Sequence, residues 1–134
     1  MDVGRRELLA GFGAVLAATA MPRFAEAAAP GSWVLYVSAG NCPFCRTIDT
    51  YYKPDFIRGL QRQGIEFRNV QVTTYHNSRA EEDWPADLRW VLQAMPNMRG
   101  TPHLLLINGR TIVDHAYGLS GFKGKFAPLA GMSV

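Results

Sequence analysis

The sequence predicts an α/β fold in which a mixed four-stranded sheet is flanked by helices, with the element order βαβαββα. Three observations carry this prediction: a continuous apolar run at 33–37, apolar residues at helical spacing directly after it, and two apolar runs on either side of Asn108-Gly109. Strands joined through a helix run parallel, whereas a two-residue turn makes neighbouring strands antiparallel. The predicted sheet therefore contains both kinds of pairing.

The first strand and the first helix follow from residue type and spacing. Residues 33–37 are β-branched, aromatic or otherwise apolar, which is typical of a strand buried on both faces. Pro43 falls in the first turn of the helix that follows, where proline is tolerated. Pro54 cannot continue that helix without a kink, so we expect a broken helix over about 42–62.

Periodicity predicts the middle of the chain. Alternation over 65–72 indicates a second strand with an irregularity near Asn69, and 73–80 is a polar loop. Apolar residues from Trp84 to Met95 then follow an i, i+4, i+7, i+8 pattern. This pattern predicts a second helix that begins in the acidic cluster 81–83, whose negative charges suit the positive end of a helix dipole.

A hairpin and a short helix complete the predicted fold. Asn108-Gly109 separates the strands 103–107 and 111–113. This dipeptide favours a type I′ turn, in which both central residues need a positive φ. The segment 122–129 is predicted to be a final helix. Its two helix-weakening residues, Gly124 and Pro128, keep it short.

Residues 1–27 are predicted to be a cleaved export signal. Arg5 and Arg6 precede an apolar stretch at 8–21, and the small-residue pattern Ala25-Glu26-Ala27 suits a signal peptidase. The stretch is shorter than the roughly 20 residues that a membrane-spanning helix needs. The two arginines resemble a twin-arginine signal, and an ordinary secretory signal is the alternative. We therefore expect a periplasmic protein with one domain at 28–134.

Composition excludes several classes of protein. The chain has 134 residues, 48% hydrophobic and 19% charged, which fits one globular domain. The net charge is +3, and its 14 Lys and Arg residues are spread along the chain, so we expect no nucleic-acid partner. Two cysteines are too few for a disulfide scaffold, and their spacing in Cys42-Pro43-Phe44-Cys45 points to redox chemistry instead.

The Cys-Pro-Phe-Cys motif has the chemistry of a redox-active disulfide. A cysteine at a helix N-terminus has a thiol pKa lowered from about 8.5 towards roughly 3.5–7.5, because unpaired backbone N–H groups stabilise the thiolate. Cys42 is therefore the predicted nucleophile. Cys45, three residues on, is the predicted resolving cysteine, and Pro43 and Phe44 flank the thiolate and tune its redox poise.

These motifs together resemble the thioredoxin superfamily over nearly the whole of 28–134. The resemblance rests on the strand before Cys42, the motif at a helix start, and Thr101-Pro102 at the entrance to the hairpin. The broken first helix is most similar to periplasmic thioredoxin-like proteins, and Pro43-Phe44 resembles the Pro-aromatic pair of glutaredoxins. The resemblance implies a cis Thr101-Pro102 bond facing the cysteines, with the Thr101 backbone free to pair with an extended substrate.

Two positions depart from the pattern of thioredoxins that act as general reductants. Tyr36 stands where they carry a buried acid in the first strand, and Asn41 stands where they carry a tryptophan before the first cysteine. Proton transfer at Cys45 therefore cannot use that acid, and we expect a specialised partner rather than general reduction.

The sequence thus predicts an exported thiol–disulfide oxidoreductase that reduces a specific periplasmic protein, is supplied by a membrane thiol donor, and is a monomer. The redox-active Cys42-Cys45 disulfide is the only expected cofactor, and no metal site is expected from the scattered His76, His103 and His115. Two alternatives stay open. One is a thioredoxin-fold module whose two cysteines bind copper or an iron–sulfur cluster, and the other is a disulfide oxidase or isomerase.

Overall fold

The computed structural model describes residues 29–134, so the predicted export signal at 1–27 lies outside the described residues. One sheet is built from the strands β1 (Ser32–Ala39), β2 (Glu66–Val72), β3 (His103–Asn108) and β4 (Thr111–Tyr117). Their spatial order is β2-β1-β3-β4. The β1–β2 pair is parallel, and the β1–β3 and β3–β4 pairs are antiparallel. This is the predicted mixed sheet, in the arrangement of a thioredoxin-like fold.

The helices confirm the predicted break in the first helical region. Helix α1 (Pro43–Tyr51) and helix α2 (Lys53–Arg62) are separated at Tyr52, and Pro54 lies in the first turn of α2. Helix α3 (Trp90–Ala94) is short. The chain ends in a continuous helical segment that runs through Gly118–Gly121, a π-helical turn at Phe122–Phe126, and Ala127–Leu129, here called the C-terminal helix. Within 29–134, no helix is long and apolar enough to cross a membrane.

Apolar residues cover both faces of the sheet. The core on one face lies between the sheet and α1, α2 and the C-terminal helix, and its largest buried members are Tyr36, Ile48, Phe56, Leu60, Leu104, Phe122 and Phe126. The core on the other face contains both cysteines together with Leu35, Val37, Val70, Val72, Trp84, Leu88, Val91, Leu105 and Ile107. Strands β1 and β3 are central and buried on both sides, as their continuous apolar runs predict.

The predicted second helix over 84–95 is wrong as one element. Two 3₁₀ turns, Glu81–Asp83 and Ala86–Leu88, precede α3, because Pro85 forces Trp84 into an extended conformation. The acidic cluster does not begin an α-helix. The Asp83 carboxylate instead accepts hydrogen bonds from the backbone N–H and the hydroxyl of Thr73, at 3.0 and 2.9 Å.

Two smaller expectations are also wrong. The irregularity predicted near Asn69 is wrong, since β2 pairs regularly with β1 through this residue. Phe67 packs on one core and Val70 on the other, so the change in the apolar alternation needs no bulge. The hairpin turn consists of Gly109 and Arg110 rather than Asn108-Gly109, since Asn108 still pairs in the sheet. Only the first of these central residues has a positive φ, +62°, as in a type II′ turn.

Candidate redox site

The two cysteines lie at the junction of β1 and α1. Cys42 is the N-cap of α1 with an extended backbone (φ −101°, ψ 112°), and Pro43 occupies the first turn. Cys45 lies one turn further on, and the two residues form a disulfide with a Cα–Cα distance of 5.2 Å. Strand β1 and the helix start therefore hold the pair at the carboxyl end of a central strand.

The backbone at the helix start donates to the first sulfur. The N–H of Cys45 donates a hydrogen bond to Cys42 Sγ over 3.1 Å. Cys42 and Cys45 are 3% and 1% exposed. Because N–H groups at a helix N-terminus favour negative charge, this contact favours the thiolate of Cys42 after reduction.

Tyr36 belongs to the core between the sheet and α1, α2 and the C-terminal helix, and it contacts the backbone of Cys45. Its hydroxyl donates a hydrogen bond to the carbonyl oxygen of Cys45 at 3.3 Å. Burial raises the pKa of Tyr36 far above its usual value, and the neighbouring Asp49 carboxylate raises it further. Tyr36 therefore stays protonated and cannot accept a proton from a thiol.

Asp49 is a residue of this site that the sequence analysis missed. It lies four residues after Cys45 on α1, and this spacing places both on one helix face. Asp49 Oδ1 is buried and has no hydrogen-bond partner among residues 29–134. The Nζ atom of Lys53 is 3.7 Å away from it. A carboxylate is therefore available one helical turn from Cys45, although β1 supplies none.

Asn41, at the position of the tryptophan in general reductants, links the site to the loop after β2. Its side-chain Nδ2 donates to the hydroxyl of Thr74 at 3.2 Å, and its Oδ1 accepts from the N–H of Tyr75 at 3.0 Å. The side chain thus fixes the loop beside the motif. This role has no signal in the sequence, because it depends on two residues more than thirty positions away.

The Thr101–Pro102 peptide bond is cis and immediately precedes β3. The carbonyl oxygen of Pro102 accepts a hydrogen bond from the N–H of Gly118 at 2.8 Å. The N–H of Gly100 donates to Ser78 Oγ at 3.1 Å. These contacts tie the segment to its neighbours on both sides. The hydroxyl of Thr101 is buried without a hydrogen-bond partner in the part of the chain that the structure describes.

A surface hollow joins the motif to the Thr101–Pro102 segment. Its volume is about 360 Å³, and its lining includes Phe44, Thr101, Tyr117 and Leu119. Phe44 and Tyr117 are each 57% exposed, which is unusual for aromatic side chains of this size. The structure therefore brings two of the predicted site residues, Phe44 and Thr101, to one apolar hollow. Tyr117 was not predicted, because only the fold places β4 here.

The histidines do not gather around the cysteines. His76 packs against Tyr75, with ring centroids 4.0 Å apart and ring planes tilted by 36°. His103 is 5% exposed, and its Nε2 lies 3.1 Å from Nδ1 of His115 on the neighbouring strand. Burial, with a smaller contribution from the charge of His115, lowers the pKa of His103 to about 4. Within residues 29–134, no three or more His, Cys, Asp or Glu side chains group in a way that could hold a metal ion.

Comparisons with known proteins find a likeness in solved structures. No family model and no curated protein match the chain. The structure of the Malassezia sympodialis thioredoxin Mala s 13 is similar, at 16% identity and a TM-score of 0.49, covering 83% of this chain and 84% of that one. The structure of Trxlp from Edwardsiella tarda EIB202 is also similar, at 19% identity and a TM-score of 0.45, covering 83% and 91%.

The fold and the site define the class of the molecule. The sheet order, the disulfide at the start of α1 and the segment before β3 are those of a thioredoxin-like fold. A C-x-x-C disulfide capping a helix in this fold supports thiol–disulfide exchange in general.

Proposed function

We propose that this chain is an exported thiol–disulfide oxidoreductase that reduces a disulfide of a specific periplasmic protein. The observation that carries the proposal is the hydrogen bond from the Cys45 N–H to Cys42 Sγ, at the N-terminus of α1. It favours a thiolate at Cys42, and the thiolate is the form that attacks a disulfide. The oxidised pair in the structure corresponds to the product of one reduction cycle.

The reduction is a pair of exchange steps. The Cys42 thiolate attacks one sulfur of the substrate disulfide, a mixed disulfide forms, and the other substrate sulfur leaves as a thiolate. The Cys45 thiolate then attacks Cys42 Sγ and releases the second substrate sulfur. The substrate gains two electrons, and Cys42 and Cys45 lose two as their disulfide forms. A membrane thiol donor, itself oxidised to a disulfide, returns the pair to the dithiol.

The second step needs an acceptor for the proton of Cys45. Tyr36 is unsuitable because it is already protonated. The Asp49 carboxylate, one turn after Cys45 and beside Tyr36, is the acceptor that we assign. This carboxylate comes from α1 instead of β1. It would take the proton that the buried acid of general reductants takes, in whose place this chain has Tyr36.

Substrate recognition is assigned to the hollow beside the motif. Its exposed aromatic side chains Phe44 and Tyr117 suit an apolar side chain of the substrate. The backbone of Thr101, before Pro102, is assigned to pair with an extended substrate strand. Pro43 and Phe44 flank the sulfur that attacks, so they set the redox poise as well as the surface that meets the substrate.

Two observations support the cellular setting and the direction of the reaction. The segment 1–27 has the pattern of an export signal. Between β2 and β3, the structure contains 3₁₀ turns and the five-residue helix α3, with no inserted helical domain in that segment. Periplasmic oxidases with a thioredoxin-like fold carry such an insertion. The short connection between β2 and β3 in this chain therefore favours a reductase.

Trapping the mixed disulfide tests the proposal. A Cys45→Ser variant lacks the resolving thiol, and we expect it to accumulate a covalent complex with a periplasmic protein, released by dithiothreitol. Cys42→Ser is the matched control and should trap nothing. Recovery of no complex, together with no insulin reduction by the wild-type protein, would contradict the proposal. Iron or copper bound stoichiometrically through Cys42 would favour the metal-binding alternative.

A further inference from the structure

A second cavity, beside the start of β3, is lined by methionine and histidine residues that the proposed thiol chemistry does not use. Its volume is about 260 Å³, and its lining includes Met95, Met98, His103 and His115. Met98 and His103 are buried, Met95 is half-buried, and His115 is exposed on the edge strand β4. The cavity is therefore closed by the core on one side and reached from solvent on the other.

The two methionines are held on a fixed turn. Arg79 donates from Nη1 to the carbonyl oxygen of Met95 and from Nη2 to that of Leu92, each at 2.6 Å. The N–H of Met98 donates to the carbonyl oxygen of Met95 at 3.1 Å. Because three contacts fix the backbone of this turn, Met95 and Met98 are kept at the lining of the cavity before any ligand binds.

The imidazole of His103 is incompletely bonded. Its Nε2 meets His115 Nδ1 at 3.1 Å, and the two ring planes are 15° apart. Its Nδ1 is buried and has no hydrogen-bond partner within the described range 29–134. A buried polar nitrogen without a partner costs free energy. A bond from His103 Nδ1 to a metal ion would remove that cost.

The donor set selects one kind of ion. Thioether sulfur is a soft ligand that favours Cu(I), and imidazole also binds copper, whereas zinc sites use thiolate, imidazole and carboxylate. We propose that Met95, Met98 and His103 bind one Cu(I) ion, with His115 orienting the His103 ring. The ion binds as Cu(I) without electron transfer. This site goes beyond the proposed thiol–disulfide exchange and is independent of Cys42 and Cys45.

Competition for Cu(I) in a cysteine-free background tests the site. The purified protein carrying Cys42→Ser and Cys45→Ser is titrated anaerobically with Cu(I) against the chromogenic chelator bicinchoninate. We expect one Cu(I) per chain, and X-ray absorption should show both sulfur and nitrogen neighbours. Adding Met98→Leu or Met95→Leu, which keep the side-chain volume, should weaken binding by about 10-fold or more.

Matched variants separate the site from general effects. Met132→Leu and His76→Gln remove the same kinds of atoms elsewhere, and both should leave the Cu(I) affinity unchanged. The proposal is overturned if the cysteine-free protein binds no Cu(I), if Met98→Leu and Met132→Leu weaken binding equally, or if Zn²⁺ alone occupies the cavity. Because the cysteines are absent from every sample, none of these outcomes bears on the thiol–disulfide function.

Discussion

The backbone N–H of Cys45 donates a hydrogen bond to Cys42 Sγ over 3.1 Å, so the second cysteine of the motif stabilises charge on the first. We predict that the Cys42 thiol of the reduced protein has a pKa below the usual value of about 8.5, because this N–H and the helix N-terminus stabilise the thiolate. The pH dependence of alkylation by iodoacetamide measures it. Cys45→Ser keeps the same N–H and should keep the low pKa, and a value at or above that of a free cysteine would contradict the assignment.

Replacing Asp49 should slow only the second exchange step. In Asp49→Asn, we expect the Cys42 thiolate to attack at the wild-type rate, whereas resolution of the mixed disulfide slows by about 10-fold or more because its proton acceptor is gone. Rapid-quench analysis of the mixed disulfide measures both rates. Asp55→Asn removes an exposed carboxylate on α2 and serves as the control. Equal resolution rates in both variants would exclude Asp49 from proton transfer.

Loss of an aromatic wall of the hollow should weaken binding of the protein substrate. Burying such a side chain contributes about 1.5–3 kcal/mol, so we expect Tyr117→Ala or Phe44→Ala to raise KM by about 10-fold or more. Tyr117→Ala should react normally with a small disulfide such as oxidised glutathione. Val113→Ala changes another exposed apolar side chain on β4 and is the control. Unchanged KM in Tyr117→Ala would place substrate recognition elsewhere.

Tyr36 should make stability fall at alkaline pH. Its pKa is raised in the folded protein, so its contribution is complete below the unfolded-state pKa of about 10 and is lost as the pH rises above that value. Between pH 9 and 11, the loss amounts to about 1 kcal/mol of the free energy of unfolding. Urea unfolding at both pH values measures it. In Tyr36→Phe, this fall in the free energy of unfolding between pH 9 and 11 should be absent. Tyr51→Phe changes an exposed tyrosine, and the fall should remain.

Gly59 is required for close packing of α2 on Ala130, the residue directly after the C-terminal helix. A Cβ at this position would overlap the carbonyl oxygen of Ala130 and lie 2.9 Å from the Cβ of that residue. We expect Gly59→Ala to lower the free energy of unfolding by about 1–3 kcal/mol. At Gly124, a Cβ meets nothing within 4 Å, so Gly124→Ala should be neutral or stabilising by up to about 1 kcal/mol. Urea unfolding that gives equal losses would contradict the packing argument.

The parts of the fold that the sequence predicts correctly are those with local causes. Continuous apolar runs mark β1 and β3, and Pro54 marks the break between α1 and α2. The apolar spacing after Trp84 predicts burial correctly, but Pro85 divides the helix. Periodicity reports which residues are buried, and a single proline decides whether the backbone that carries them is continuous.

The candidate site is only partly visible in the sequence. The Cys42–Cys45 disulfide follows from the motif. Asp49 lies four residues after Cys45 on α1, and this spacing is a signal from which it could have been identified. The hollow is different, because Phe44 and Tyr117 are distant in sequence and line the same hollow only when β4 forms the edge of the sheet. The methionines and histidines of the second cavity come together for the same reason.

The reduction potential of the Cys42/Cys45 pair is the most direct test of the proposed reductase. The protein is equilibrated in glutathione or dithiothreitol redox buffers, and its free thiols are quantified. We predict a value near about −270 mV, as in thioredoxin, which suits a protein kept reduced by a membrane donor. A value near about −120 mV would identify an oxidant and contradict the proposed direction.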